Sequence, residues 1–221
     1  MSGFVPDAPW GVFSQNVGSQ ITVTWFEPLS NGAQITAYKL FIRKHVSSTY
    51  AEVEAQDCDG VSSGVLENTQ CTINLSRLAG DPFNLVAGEQ IYTKVVAKNS
   101  YGDSAYSDTG FGSVMKTAPD APFDLKNDIT VTSESQIKFT WRAGMSNGGS
   151  QILDYTVYFD QGSNDFIPIA SGITDREYTT EITLNKNQAY QFKVSARNDI
   201  GNSTLSEPLS VIAQVSELLP T

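Results

Sequence analysis

Residues 19–25 read Ser-Gln-Ile-Thr-Val-Thr-Trp, and residues 135–141 read Ser-Gln-Ile-Lys-Phe-Thr-Trp. In each, apolar side chains fall on every second position: Ile21, Val23 and Trp25, then Ile137, Phe139 and Trp141. A period of two is that of a β-strand with one face in a core and one in water. The likeness spreads outward from these stretches in constant order. Pro6-Asp7-Ala8-Pro9-Trp10 returns as Pro119-Asp120-Ala121-Pro122-Phe123. Ser30-Asn31-Gly32 is echoed by Ser146-Asn147-Gly148, ITAYKLFI (35–42) by ILDYTVYF (152–159), and KVVAKNSYGDS from Lys94 by KVSARNDIGNS from Lys193. A repeat of this extent predicts two homologous domains, 1–117 and 118–221.

Between the alternating runs lie EPLSNGAQ, AGMSNGGSQ, NSYGDS and NDIGNS, rich in the glycine, asparagine and serine that turns use. No stretch shows helical spacing. Short strands at this interval, with no helices to cross between parallel neighbours, predict an all-β chain of antiparallel sandwiches. Four features occur twice in the same order: the entry Pro-x-x-Pro, one tryptophan in the second strand, a Tyr-x-(Val/Leu)-x-(Phe/Ile) third strand, and a late Ala-x-Asn-x-x-Gly turn. Together they resemble the fibronectin type III family over nearly the whole chain. That resemblance implies two consecutive seven-stranded immunoglobulin-like β-sandwiches.

The second unit carries Leu184 six residues before Tyr190, followed by Phe192, Val194, Ala196 and Asn198, which is similar to the family's tyrosine corner. The first unit departs from it. Ile91 stands where the tyrosine would be, after a longer connection, SRLAGDPFNLVAGEQ. Cys58 and Cys71, the only cysteines, flank the polar segment DGVSSGVLENTQ, which reads as a loop. They are either bridged, pointing to an oxidising compartment, or two separate thiols. If bridged, they and the inserted Phe83, Leu85 and Val86 are expected to replace the missing corner.

Fourteen basic residues against 24 acidic ones give a net charge of -10 over 221 residues, with no basic stripe, so nucleic acid and anionic membrane are poor partners. No run of about 18 apolar residues is present to insert in a membrane. The opening MSGFVPDAPW lacks the basic start and apolar stretch of a secretory leader, so an exported parent would carry this chain as a fragment. Phosphate-cradling, zinc-protease and EF-hand motifs are absent. His45, the only histidine, follows Lys44 at a strand end and reads as a solvated edge residue. Asp175-Arg176-Glu177 has a cadherin-like look without the companion aspartate-rich motifs. No enzyme and no cofactor are expected; calcium at the domain junction, near Asp7, Asp103 or Asp120, stays open. Trp25, Trp141, Tyr38 and Tyr155 occupy inward positions of the pattern.

Where the third and sixth strands are neighbours, as the resemblance implies, Lys39, Phe41 and Arg43 stand beside Tyr92, Lys94, Val96 and Lys98. This makes a basic, aromatic face suited to a partner, unless the cationic stems simply cover exposed rings. Asn202-Ser203-Thr204 and Asn74-Leu75-Ser76 fit the glycosylation acceptor pattern; Asn74 lies in a predicted strand and is the poorer acceptor. Arg-Gly-Asp is absent. The family likeness implies a non-catalytic extracellular or cell-surface adhesion and spacer module, monomeric as isolated, from a larger protein. Its partners would be other proteins or neighbouring repeats. MKTAPDAP, with two prolines and no glycine, reads as a short restricted junction. An intracellular filament tandem, a receptor module and an accessory module of a polysaccharide-degrading enzyme are the alternatives. The Trp-Ser-x-Trp-Ser of cytokine receptors is replaced here by NSTLSEP.

Overall fold

The computed structural model describes residues 3–161, 163, 165–181, 185 and 187–213. The chain divides into two compact units, Met1–Thr117 and Ala118–Thr221. In the first, β1 (Trp10–Val17), β2 (Gln20–Phe26) and β5 (Gln70–Asn74) form one antiparallel sheet. β4 (Tyr50–Glu52), β3 (Ala37–Arg43), β6 (Thr93–Asn99) and β7 (Gly102–Asp103) form the other, in that order.

The second unit repeats this plan. β8 (Phe123–Asn127), β9 (Lys138–Arg142) and β12 (Glu177–Thr179) face β11 (Ile167–Ile173), β10 (Asp154–Phe159), β13 (Ala189–Arg197) and β14 (Leu209–Ile212). Seven antiparallel strands per unit, among the described residues, are the sandwich that the alternation predicts.

Each core is the inward half of that alternation. Ile21, Val23 and Trp25 of β2 meet Tyr38, Leu40 and Ile42 of β3, all buried. Ile137, Phe139 and Trp141 meet Tyr155, Val157 and Phe159 in the same way. The asparagine of the late turn is structural. Asn99 Nδ2 donates to the carbonyls of Phe4 and Ser30 at 2.8 and 2.9 Å while its Oδ1 accepts from Tyr101 N. Asn198 does likewise, donating to Asn147 O and accepting from Ile200 N. Each buried amide thereby ties the loop after the second strand to the turn after the sixth, leaving its own polar atoms satisfied.

Two short helices depart from the all-strand expectation: α1 (Ser63–Asn68) and α2 (Leu75–Leu78). α1 lies within the segment read as a loop. Ser62 caps it by accepting from Val65 N, and Thr69, in the left-handed region at φ 47°, closes it by donating to Val65 O. Such a helix is too short to show a period of 3.6. The assumed junction MKTAPDAP is also shorter than read, because Met115 is buried and pairs through its backbone with Gly88 and Glu89.

In the second unit Asn185 N donates to Tyr190 Oη at 2.6 Å, the bond of a tyrosine corner; Leu184 lies outside the described residues. In the first, Ile91 is wholly buried and cannot make that bond. The long connection instead packs Leu78, Phe83 and Leu85 into the core beside Leu75, and Phe83 O accepts from His45 N at 2.8 Å. Val86 does not join them: it is 50% exposed, because the turn closed by Glu89 N donating to Val86 O points its side chain outward.

A disulfide joins Cys58 to Cys71, with Cα atoms 5.8 Å apart. Beside it the Arg77 guanidinium grips Asp57 at 2.9 and 3.0 Å, so the two inserted stretches meet at the bridge. Two reciprocal outcomes test this division of labour. Tyr190→Phe should lower the stability of the second domain alone by about 1 kcal/mol, read as a shift of one calorimetric transition. Reduction should lower the first transition alone, by at most about 3 kcal/mol for a loop of this size. An unchanged first transition would mean that the bridge does not substitute for the corner.

Candidate interaction face

The register of β3 against β6 pairs Lys39 with Val96, Phe41 with Lys94 and Ala37 with Lys98. Directly opposed residues point to the same side of a sheet, so these side chains share the outer face. Beyond the last pair, Arg43 N donates to Tyr92 O and the Arg43 guanidinium lies over the Tyr92 ring, 3.7 Å from its centroid. The Lys94 ammonium sits 4.9 Å from the Tyr50 ring and 5.6 Å from the Tyr106 ring. Phe41 meets Tyr106 edge to face at 5.0 Å. The structure thus brings together Lys39, Phe41, Arg43, Tyr92, Lys94 and Lys98, and adds Tyr50 and Tyr106.

Those two tyrosines come from β4 and from the segment after β7. Nothing in the local sequence marks them, because they join the face through tertiary pairing. Asp103 accepts from Lys39 Nζ at 2.6 Å, and that bond raises the lysine pKa above its ordinary value. Glu52 stands opposite Phe41.

The equivalent face of the second unit is chemically different. Tyr158 opposes Lys193, as Phe41 opposes Lys94, but Arg43 is replaced by Asp160, whose Oδ1 accepts from Gln191 N at 2.9 Å. Arg197, the counterpart of Lys98, is held by the Asp154 carboxylate through two nitrogens. Lys193 does lie 4.5 Å from the Phe166 ring, so one cation–ring contact occurs in both units, while Arg43 over Tyr92 and Lys94 between two tyrosines belong to the first.

The remaining candidates have local roles. Asn74 ends β5, exposed, and its Oδ1 accepts from Gln20 Nε2 at 2.9 Å. Asn202 is exposed in the turn after β13 and bridges to Arg197 through its backbone. Asp7 accepts from Asn31 Nδ2, Asp103 from Lys39, and Asp120 from Ser146 N. Among the described residues no group of three or more His, Cys, Asp or Glu side chains converges as metal ligands would. His45 Nδ1 lies 2.8 Å from Glu89 Oε2, which also accepts from Val86 N, so its ring ties the exit of β3 to the inserted connection. Glu177 of the Asp-Arg-Glu triplet pairs with Lys138 at 3.3 Å.

One recurring pair escapes a reading by alternation. Ser104 and Ser107, and again Ser203 and Ser206, follow the sixth strand and accept from its amides. Ala97 N and Val95 N donate to the first two hydroxyls, Ala196 N and Val194 N to the second two, each at 3.0 Å. The Ser-x-x-Ser spacing stands in both halves of the repeat and was the available signal.

The comparisons with known proteins meet this geometry at its second unit. The family model for the fibronectin type III domain matches residues 120–212. The first unit repeats that unit's motifs, its strand order and its serine pair. The second unit is a fibronectin type III domain, and the first shares its plan. Protein turtle of Drosophila melanogaster is 31% identical over 99 residues, 43% of this chain and 6% of that protein. Drosophila Titin is 25% identical over 221 residues, covering 97% of the tandem and 1% of its own length. Rat Pikachurin is 24% identical over 198 residues, 86% of the tandem and 18% of that protein. The chain therefore spans less than a fifth of each of these relatives. The crystal structure of chicken CNTN1 FN1-FN3 domains aligns over 95% of the tandem and 67% of that chain, at 16% identity and TM-score 0.44.

Trp25 and Tyr38 lie 5.2 Å apart between ring centroids, Trp141 and Tyr155 5.5 Å, all of them buried in the two cores. Burial, aided by Glu27, pushes the Tyr38 phenol from 10.0 up to about 12; burial also raises Tyr155 and Tyr178. The unfolded chain thus releases these protons first. Their contribution to stability should be intact below pH 10 and should fall as pH climbs from 10 towards 12. Unfolding followed across that range should show the decline; flat stability would contradict the burial argument.

Proposed function

We propose that this tandem is a non-catalytic interaction and spacer module of a cell-surface or secreted protein, with the outer face of β3 and β6 as its partner-binding surface. The observation that carries the reading is the clustering of Arg43, Lys94, Phe41, Tyr50, Tyr92 and Tyr106 on one sheet face, against the ion-paired equivalent in the second domain. Tyrosine and arginine are the residues that interface hot spots favour, and charge on a sheet face steers encounter. Calcium is assigned no part in it.

The extracellular assignment rests on the Cys58–Cys71 bridge, since disulfides persist in oxidising compartments. Asn202, exposed in its turn, is the preferred glycan acceptor and Asn74 the second. An intracellular structural tandem is the other reading, favoured by the alignment with Drosophila Titin along 97% of the chain.

Intact mass of the protein from its native source, before and after reduction, separates the two. A gain of two hydrogens on reduction supports export; an unchanged mass with two alkylatable thiols overturns it in favour of the intracellular tandem. For the face, a photo-crosslinking residue at Phe41 should capture a partner in that source, while the same residue at Tyr158 should not. Equal capture at both positions, or none at Phe41, would remove the face from the proposal.

A further inference from the structure

Seven lysines and arginines lie between residues 1 and 117, and four of them, Lys39, Arg43, Lys94 and Lys98, project from the outer face of β3 and β6; the others are Lys44, Arg77 and Lys116. The protein as a whole carries a net charge of -10. A majority of one domain's cations gathered on one sheet face of an acidic chain is a local reversal of field. Only Lys39 is neutralised there, by Asp103. Arg43, Lys94 and Lys98 have no carboxylate partner within 4.0 Å among the described residues, and Arg43 and Lys94 rest against tyrosine rings.

We infer that the ligand of this face is a polypeptide segment carrying a few carboxylates set among apolar or aromatic side chains; the inference rests on reading the face as a binding surface. Two features select this chemistry over a densely anionic chain such as a sulfated glycan. First, the face is not uniformly positive. Glu52 opposite Phe41 and Asp103 against Lys39 place two carboxylates inside it, and a ligand charged at every unit would meet them at like sign. Second, Phe41 and Tyr106 pack edge to face beside the cations, apolar area that a chain of sulfated sugars would leave unmatched.

What the face offers instead is two cations, Arg43 and Lys94, held at fixed places by rings, with Lys98 further along the strand. Lys98 and Lys94 lie four residues apart on one strand, about 13 Å at the rise of an extended chain. Arg43 follows across the row beyond, beside Tyr92. Phe41 and Tyr106, the latter 53% exposed, supply apolar area between them. A partly apolar segment with spaced carboxylates matches that alternation in both charge and contact. Pinning by aromatic rings lowers the entropy lost when the cations are engaged.

The test uses the whole tandem, isotopically labelled, titrated with a random copolymer of glutamate and tyrosine and separately with heparin. The copolymer should shift amides of β3 and β6, centred on Phe41, Arg43 and Lys94, and binding should weaken at about 0.5 M NaCl. Arg43→Glu with Lys94→Glu should weaken it by about tenfold or more, and Lys193→Glu in the second domain should not. Lys94→Gln, which removes the charge without reversing it, serves should the double reversal alter folding.

Equal loss in Lys193→Glu would reduce the effect to bulk charge and overturn the inference. So would shifts centred elsewhere, no binding to the copolymer, or binding to heparin alone. The parent reading fails separately. A crosslink at Phe41 that survives high salt and Lys94→Glu would keep the face and discard its acidic partner.

Discussion

The register of β3 against β6 is the constraint on which the first domain depends. With Leu40 opposite Val95 and Phe41 opposite Lys94, one set of side chains enters the core and the other reaches water. A slip of one residue would exchange the sets, putting Tyr38, Leu40 and Ile42 outside and three charged or aromatic groups into the core. The pairing is held at one end by Asn99, whose amide fastens the end of β6 to Phe4 and Ser30. At the other end Arg43 N bonds Tyr92 O, and His45 N and its ring reach Phe83 and Glu89. The core and the candidate face are therefore two consequences of a single alignment.

This explains which parts of the structure could be read from the sequence. Strand alternation and the internal repeat stand in the sequence itself and predicted both cores, whereas the placing of Lys39, Phe41 and Arg43 beside Tyr92, Lys94 and Lys98 followed from the family resemblance, which makes the third and sixth strands neighbours. Tyr50 and Tyr106 were not legible as members of that face, because their places depend on β4 pairing with β3 and on the path of the chain after β7. The helices α1 and α2 were missed for a different reason. Six and four residues span too little chain to show periodicity, and their stability comes from a serine cap and from burying Val65, Leu75 and Leu78. Val86 was misplaced because it was grouped with Phe83 and Leu85 as an apolar insert, whereas the turn closed by Glu89 N points it outward.

The two domains show what the fold requires and what it leaves open. Tryptophan against tyrosine in the core, the buried turn asparagine and the serine pair on the sixth strand occur in both. The outer face and the corner do not. Where the second domain closes its sheet with an Asp154–Arg197 pair and an Asp160 bond to backbone, the first leaves Arg43 and Lys94 against rings. Where the second has Tyr190, the first has Ile91, an apolar insert and a disulfide. Conservation of the frame beside divergence of the face is the behaviour of a scaffold whose function resides in grafted side chains.

The insert also bears on how a partner can approach. The outer edge of β3 has its backbone groups occupied along its length: Tyr38 N donates to Gly60 O, Val53 N to Leu40 O, and β4 continues from Glu52 to Tyr50. Gly60 packs so closely there that a Cβ would lie 1.8 Å from Tyr38 O, so the contact requires glycine. Because Cys58 is bonded to Cys71 on β5, the loop that places Gly60 is anchored to the opposite sheet. Addition of a partner strand along β3 is thereby blocked, leaving the three residues of β4 as the edge on that side and β7 on the other. A partner that reaches β3 therefore meets its outer face, where the cations and rings are, and the Cys58–Cys71 bridge helps to keep that edge closed.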